Sequence, residues 1–340
     1  MSQAGRVSQG QWRSSGTRRG RAFLGALVCS ALLVAIGSGW AYAAYPDRPI
    51  QIIVPWGAGG GTDQVARLLA SLLQEDLGVP VNVVNRAGGG GAIGHVAGAS
   101  ARPDGYTLTM VTVELATMHW MGLAEVDYSD FAPIGIVNVD PAGVTVAADA
   151  PWKNLAELTA AIKANPGRYR ASGTATGGIW DLARVGWLTA AGLEPSALPW
   201  VPSTGAAQAL QELVAGGVHV VTCSAAEAAT MIRAGSVRPL AVMAEQRLPA
   251  FPDVPTLKEL GVNWSLGTWR GLAAPAGTPR EVVQRLEASL AKAVASDRYR
   301  AFMREAGFGV TWIPADQAAL FLHDQDRTMG DLLRSMGLAK

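Results

Sequence analysis

Residues 50–63 read IQIIVPWGAGGGTD, and this stretch carries the prediction of the fold. Its first five residues form a short β-branched run that stops at Pro55, which is typical of a buried strand. A glycine-rich loop follows, and Thr62 is a suitable N-cap for a helix with Val65 and Leu69 on its apolar face. A strand that leads into a helix through a glycine loop is the repeating unit of an α/β fold.

The same unit recurs along the chain. A second strand is predicted over 79–85, followed by a glycine loop, a helix and a third strand, and similar patterns fill residues 146–265. We therefore predict an α/β protein with two blocks, each a mostly parallel sheet flanked by helices. Residues 269–275 are expected to form a strand that returns to the first block. The chain would then cross between the blocks twice, as suits a hinge.

The first 43 residues have a different character. Five arginines are followed by an apolar run over 22–36 and by the small residues Ala41 and Ala43, which is the pattern of a cleaved secretory signal. The run is shorter than the roughly 20 residues of a membrane span. An uncleaved anchor remains the alternative, and Arg18 with Arg19 leaves the export route open between the general and twin-arginine pathways.

We thus predict three parts of the chain and a periplasmic location. Residues 1–43 are the signal peptide, residues 44–145 with 268–340 form domain 1, and residues 146–267 form domain 2. After cleavage near Ala43 only Cys223 remains, so no intrachain disulfide can form. A lone thiol of this kind is more often a packing residue than a nucleophile.

Composition limits the classes of function. The chain has 340 residues, of which 28 are Lys or Arg and 27 are Asp or Glu. This balance excludes a basic stripe for nucleic acid and an acidic disordered tail. The four histidines lack metal-ligand spacing, no lysine follows a glycine loop as in a P-loop, and no nucleophile elbow is present. We therefore expect neither a metal site nor a reaction centre.

The glycine loops favour a ligand cleft. Where a strand leads into a helix, the free backbone amides and the positive end of the helix dipole form an anion site. Glycine at this place allows a ligand to approach the backbone closely. The alternative is that the loops are only tight turns. Two roles for Asp63 are left open: it caps its own helix, or it contacts a ligand. The tryptophans Trp56, Trp180 and Trp200 fall in or beside these loops and indicate an aromatic wall.

A dinucleotide enzyme is the competing interpretation. Gly89, Gly91 and Gly94 match the spacing of a dinucleotide fingerprint, and Glu114 lies 20 residues beyond Gly94, where a ribose-binding acid would sit. The match falls in the second unit rather than the first, and a run of four glycines meets such patterns easily. An exported protein also has little access to nicotinamide cofactors.

Several motifs in order resemble one known family. The opening YPDRPI at 45–50 and PWGAGGGTD at 55–63 are similar to the start of the Bug (TctC-like) proteins, the extracytoplasmic receptors of tripartite tricarboxylate transporters. NRAGGGGAIG at 85–94, PDGYTL at 103–108, FPDVPT at 251–256 and WRGLAAPAGTP at 269–279 support the resemblance. It spans nearly the whole mature chain.

The resemblance implies a two-domain Venus-flytrap receptor that closes on a small carboxylate, with no cofactor and no catalysis. It also implies delivery to the membrane subunits of such a transporter, a monomeric chain and no nucleic-acid partner. A ligand-dependent sensor role is a further possibility. The candidate ligand-binding residues lie in or beside the inter-domain loops: Trp56, Gly59, Gly60, Gly61, Thr62, Asp63, Thr112, Ser172, Thr174, Thr176, Gly177, Ser203, Thr204 and Gly205.

The chain departs from the family pattern at three places. Pro202-Ser203-Thr204-Gly205 stands where a Pro-Tyr-Lys-Gly-like loop is usual, Asp181 stands where a histidine is common, and Trp56 replaces phenylalanine. These changes indicate an altered pocket, and we expect a carboxylate with an aromatic or bulky apolar part.

Overall fold

The structure is a computed structural model that describes residues 45–340 and the single residue Gln9. The predicted signal peptide and its cleavage site therefore lie outside the described part. Residues 46–340 form one compact unit, which contains two β-sheets. We call the part built on the six-stranded sheet lobe 1 and the part built on the four-stranded sheet lobe 2. Over the described residues, no helix combines the length and apolar character needed to cross a membrane.

Lobe 1 begins with the predicted strand and helix. The run IQIIV forms β1 (Ile50–Val54), whose residues are almost all buried, and α1 (Gly61–Leu77) packs its buried face, including Val65 and Leu69, onto the sheet. The helix begins two residues earlier than expected, because Gly60 rather than Thr62 occupies the N-cap. No side chain caps it there, and the Thr62 hydroxyl is engaged elsewhere.

The sheet of lobe 1 has the strand order β10-β4-β9-β3-β1-β2. Its other elements are β2 (Val81–Asn85), α2 (Ala92–Ala99), β3 (Thr107–Thr112), β4 (Phe131–Pro141), β9 (Gly267–Pro275), α7 (Arg280–Ala295), α8 (Asp297–Ala306), β10 (Ile313–Pro314) and α9 (Ala315–Ser335).

The sheet of lobe 2 has the order β6-β7-β5-β8. Its elements are β5 (Gly143–Ala147), α3 (Leu155–Ala164), β6 (Ala171–Ser172), α4 (Ile179–Ala190), α5 (Ala206–Val214), β7 (Val220–Cys223), α6 (Ala225–Arg233) and β8 (Val237–Val242).

The α/β class with one sheet in each lobe is confirmed, but both sheets are mixed, so the detail that they are mostly parallel was wrong. In lobe 1 only β2, β1 and β3 run parallel, and β9 is antiparallel to β3 and β4. In lobe 2 β5 is antiparallel to both of its neighbours. Parallel neighbours need a crossover connection, which the helices after β1 and β2 supply. Strands β4 and β9 instead lead out of lobe 1 and back into it, so they run in opposite directions.

The chain crosses between the lobes as the sequence suggested. One crossing is the single residue Ala142 between β4 and β5, and the other is the segment between β8 and β9. The returning strand predicted over 269–275 is β9, which pairs with β3 and β4 in lobe 1. The structure does not test the predicted domain limits at 145/146 and 267/268, which stay a prediction.

Candidate functional site

A small cavity with polar and apolar walls lies where the two lobes face each other. Its enclosed space is about 20 Å³, roughly the room in which one water molecule fits. The residues that line it come from the first turns of helices in both lobes, from the loops and short turns beside them and from β9: Trp56, Gly60, Gly61, Thr62, Glu114, Thr174, Ile179, Trp180, Gly205, Ala206, Glu227, Thr268 and Arg270. A larger solute therefore requires the lobes or the lining side chains to move.

The loop before α1 is held by one carboxylate. Gly59 has a φ of +80°, which favours glycine, and its amide donates to Oδ2 of Asp63 over 2.9 Å. Arg67 Nε and Asn85 Nδ2 also donate to this carboxylate, each over 2.9 Å. Burial acts to raise the pKa of Asp63, but the hydrogen bonds from Arg67, Gly59 and Asn85 outweigh it and hold the pKa below its usual value.

Lobe 2 repeats this arrangement at the start of α4. Gly177 has a φ of +75°, and its amide donates to Oδ2 of Asp181 over 2.9 Å. Arg184 donates to the same carboxylate from Nε at 3.0 Å and from Nη2 at 2.6 Å. Both loops thus place the first residue of a helix two positions after a left-handed glycine, and both helices begin at the cavity.

The first helical amide of each loop is bound by a glutamate from the opposite lobe. The Gly61 amide of lobe 1 donates to Oε1 of Glu227 over 3.2 Å. The Ile179 amide of lobe 2 donates to Oε1 of Glu114 over 3.1 Å. A carboxylate at a helix N-terminus is stabilised by the free amide and by the helix dipole. The two glutamates therefore form reciprocal bridges between the lobes.

Arg270 connects the two lobes from β9. Its Nη2 donates to Oε1 of Glu227 over 3.2 Å, its Nε donates to the Thr62 hydroxyl over 3.1 Å, and its Nη1 donates to Asp140 Oδ2 over 2.5 Å and to Asn138. The guanidinium side chain is 2% exposed. Every nitrogen of this buried cation thus has a partner, as burial of a charge requires.

Glu114 is buried, and the side chain of Glu227 is only 6% exposed. Burial raises the pKa of Glu227 above its usual value, although Arg270 opposes the shift. Burial also raises the pKa of Glu114, against hydrogen bonds from the Thr112 hydroxyl at 2.6 Å and from the Ile179 amide. The cavity is therefore lined by two carboxyl groups of the protein as well as by backbone amides, and these carboxyl groups affect which anions it can accept.

A third bridge between the lobes is made by backbone alone. The Gly57 amide donates to the carbonyl of Thr204 over 3.1 Å. The amide and hydroxyl of Thr204 both donate to Gln208, which fixes the loop before α5. The first glycine loop and the predicted loop at 202–205 therefore meet across the two lobes.

Six of the predicted ligand-binding residues line the cavity: Trp56, Gly60, Gly61, Thr62, Thr174 and Gly205. The other eight lie outside its lining. Of these, Gly59, Asp63 and Gly177 hold the loops, and Thr204 bridges the lobes. The hydroxyls of Thr112, Ser172 and Ser203 donate to Glu114, to the Val201 carbonyl and to the Gly205 carbonyl, respectively. Thr176 is exposed. Their contact with a ligand stays a prediction.

Glu227 and Arg270 were not among the predicted site residues, and Glu114 was predicted only as part of the dinucleotide alternative. Glu227 stands in the capping box Ser224-x-x-Glu227, and the sequence pattern alone indicates no more than this local cap, a role that Glu227 also fills. Arg270 is a single charge inside an otherwise apolar strand. That anomaly was the available signal, since an isolated buried cation needs a partner of opposite charge.

The second glycine loop has a packing role. A side chain at Gly94 would meet the Cα of Pro55 at 2.5 Å, so glycine allows α2 to pack against the end of β1. Next to it, the buried His95 ring donates from Nδ1 to the Gly91 carbonyl over 2.9 Å and accepts at Nε2 from the Thr112 amide over 3.3 Å. Burial lowers the pKa of His95 to about 4. Glu114 faces lobe 2, not this loop.

Two further sequence expectations concern reactive groups. Cys223 is buried, and burial raises the pKa of its thiol, so it belongs to the core. Within residues 45–340, no group of three His, Cys, Asp or Glu side chains is arranged to hold a metal ion.

Two α/β lobes joined by two crossings, with a small cavity between them, are the architecture of the bilobed periplasmic binding proteins. The sequence profile of the "Tripartite tricarboxylate transporter family receptor" (TctC) matches residues 65–338. The chain belongs to this family, as the resemblance predicted.

Solved structures agree with this assignment. The periplasmic binding protein BugD is 30% identical, with a TM-score of 0.83 over 87% of this chain and 100% of that one. MatC from Rhodopseudomonas palustris with bound malate is 26% identical, with a TM-score of 0.78 over 85% and 100%. Rpa4515 from R. palustris with adipate is 27% identical, with a TM-score of 0.81 over 87% and 99%. These similar proteins bind solutes, two of them carboxylates.

Proposed function

We propose that this protein is an extracytoplasmic receptor that captures a small organic carboxylate between its lobes and delivers it to the membrane subunits of a tripartite tricarboxylate-type transporter. The observation that carries the proposal is the meeting of two helix N-termini, at Gly61 and Ile179, across one cavity. Such ends carry a positive dipole. Glu227 and Glu114 accept from the Gly61 and Ile179 amides, and among residues 45–340 the Thr62 and Ala206 amides at the same cavity have no acceptor and are left for a solute. Membership of the TctC family and the malate and adipate complexes of similar proteins support it.

Solute capture in this architecture is a hinge motion. The two crossings at Ala142 and between β8 and β9 let the lobes separate, and the bridges described above reform when they close. A solute drives closure only to the extent that it binds the closed form better than the open one. The protein binds its solute and does not transform it.

The walls of the cavity favour a solute with an apolar part. Trp56 and Trp180 are both buried at its surface, and Ile179 and Ala206 add aliphatic contact. A carboxylate with an aromatic or bulky apolar remainder would bury that part here. The basic and apolar leader at 1–43 supports export to the periplasm, where the monomeric receptor would meet its solute.

Tryptophan fluorescence and thermal unfolding test the proposal. Trp56 and Trp180 lie at the cavity, so a bound carboxylate should change the emission and raise Tm. A panel of aliphatic, aromatic and hydroxy acids is compared with NADH, the ligand of the dinucleotide alternative. A response to NADH and to no acid would contradict the receptor function. Stabilisation by citrate or malate and by no aromatic acid would contradict the apolar-solute part alone.

A further inference from the structure

The two anion positions at the cavity are filled by the protein itself. Glu227 binds the first amide of α1, and Glu114 binds the first amide of α4. These amides belong to helices of 17 and 12 residues that begin on opposite sides of the same space. They are therefore the two places where the ends of a dicarboxylate would find a helix N-terminus.

The second carboxylate of a dicarboxylate solute would find no free cationic side chain among the described residues that line the cavity. Over residues 45–340, Arg270 is the one cationic side chain that lines the cavity. Its donors are already directed at Glu227, Asp140, Thr62 and Asn138. A dicarboxylate would add two negative charges to a buried site that holds Glu114 and Glu227, and burying unpaired like charges is costly.

A single carboxylate still finds donors. Thr62 and Ala206 line the cavity in the first turns of α1 and α5. Within the described part of the chain, their backbone amides have no hydrogen-bond acceptor. Trp56, Ile179 and Trp180 form an apolar surface for the remainder of the solute.

We propose that Glu114 and Glu227 set the selectivity of the cleft, so that it takes a monocarboxylate with an apolar remainder and rejects dicarboxylates. This inference rests on the proposed receptor function and names its class of solute. It also separates this chain from MatC and Rpa4515, whose structures hold malate and adipate. The two glutamates act by occupying the anion positions that a second carboxylate needs.

Isothermal titration of a matched acid pair tests the proposal. Hexanoate and adipate have the same chain length and differ in one terminal carboxylate. The wild-type protein, freed of carried-over solute by dialysis, should bind hexanoate at least ten-fold more tightly than adipate. The double variant Glu114→Gln/Glu227→Gln keeps the shape of both side chains and removes both charges. It should reduce that preference at least ten-fold.

The exposed Glu125→Gln is the matched control and should keep the wild-type preference. Circular dichroism and retained hexanoate binding show that the double variant is folded, and the two single variants replace it if it is not. Equal binding of hexanoate and adipate by the wild type, or an unchanged ratio in the variants, would overturn the selectivity proposal and leave the receptor function standing. Binding of neither acid, nor of any acid in the panel above, would overturn both.

Discussion

The loops before α1 and α4 show how one backbone arrangement serves two lobes. In both, a left-handed glycine donates its amide to an aspartate four residues later, over 2.9 Å. In both, an arginine from the next helical turn binds that aspartate, and a glutamate from the opposite lobe binds the first helical amide. The shared geometry places two helix ends against one cavity.

The two loops differ in the residues that follow this geometry. Lobe 1 has Gly61 and Thr62, where an added Cβ at Gly61 would lie 2.7 Å from both Arg270 Nη2 and Glu227 Oε1. Lobe 2 has Ile179 and Trp180 at the matching positions. Lobe 1 therefore leaves room for the side chains of Arg270 and Glu227, whereas lobe 2 supplies an apolar wall. The paired arginines also differ, since the Arg67 side chain is 53% exposed and that of Arg184 is 7% exposed.

The largest expected contrast concerns these two arginines. Arg184→Met leaves Asp181 buried without its cation and removes donors to the carbonyls of Pro195 and Leu198, so the free energy of unfolding should fall by about 3–5 kcal/mol. Arg67→Met removes an arginine that is 53% exposed and leaves the buried Asp63 with its donors from Gly59 and Asn85, so the loss should be smaller, about 1 kcal/mol. Urea denaturation of the two variants measures both. Equal losses would contradict the different roles assigned to the two pairs.

The buried histidine of lobe 1 should make stability depend on pH. The pKa of His95 is lowered to about 4 from an unfolded value of 6.5, so the unfolded chain binds the proton more readily. Stability is complete above pH 6.5 and should decline by roughly 3 kcal/mol as pH falls to about 4.

Urea midpoints across this pH range for His95→Gln test that prediction, since the variant should lose this component of the pH dependence. The exposed His323→Gln serves as the control and should follow the wild type. If His95→Gln shows the same dependence of stability on pH as the wild type, the dependence arises from other groups and the prediction is wrong.

A side chain at Gly61 should weaken the contacts of Arg270 and Glu227 that join the two lobes. Gly61→Ala places a methyl group against Arg270 and Glu227 and should cost about 1–3 kcal/mol of stability. Gly60→Ala is the matched change, because its Cβ would find its nearest neighbour at 3.5 Å. Small-angle scattering should show a larger radius of gyration for Gly61→Ala than for Gly60→Ala. The same radius in both would mean that the close approach at Gly61 does not hold the lobes together.

The smallest expected effect is that of Glu114 on the pH profile. Its folded pKa is raised above the usual 4.5 by burial, so the folded state holds the proton more tightly and stability declines as pH rises through that folded pKa. Glu114→Gln should remove this decline. Unfolding free energies of variant and wild type should therefore diverge as pH increases from 4.5. A difference that is constant with pH would contradict a raised pKa.

The sequence was informative where a local pattern decides the structure. The β-branched run at Ile50–Val54 and the glycine loop after it were read correctly because strand, loop and helix follow one another along the chain. The mixed sheets were not predicted, because the directions of β4 and β9 depend on how the chain crosses between lobes. Glu227 and Arg270 were missed because they are 43 residues apart and meet only through tertiary packing.

Native mass spectrometry of the purified protein, with fragmentation of any solute it carries, tests the central claim most directly. We expect a bound small acid with one carboxylate and an apolar remainder, which is lost on unfolding and rebinds with a change in tryptophan emission. A dicarboxylate as the retained solute would contradict the role given to Glu114 and Glu227. A retained solute with no carboxylate would contradict the receptor function proposed for the cleft.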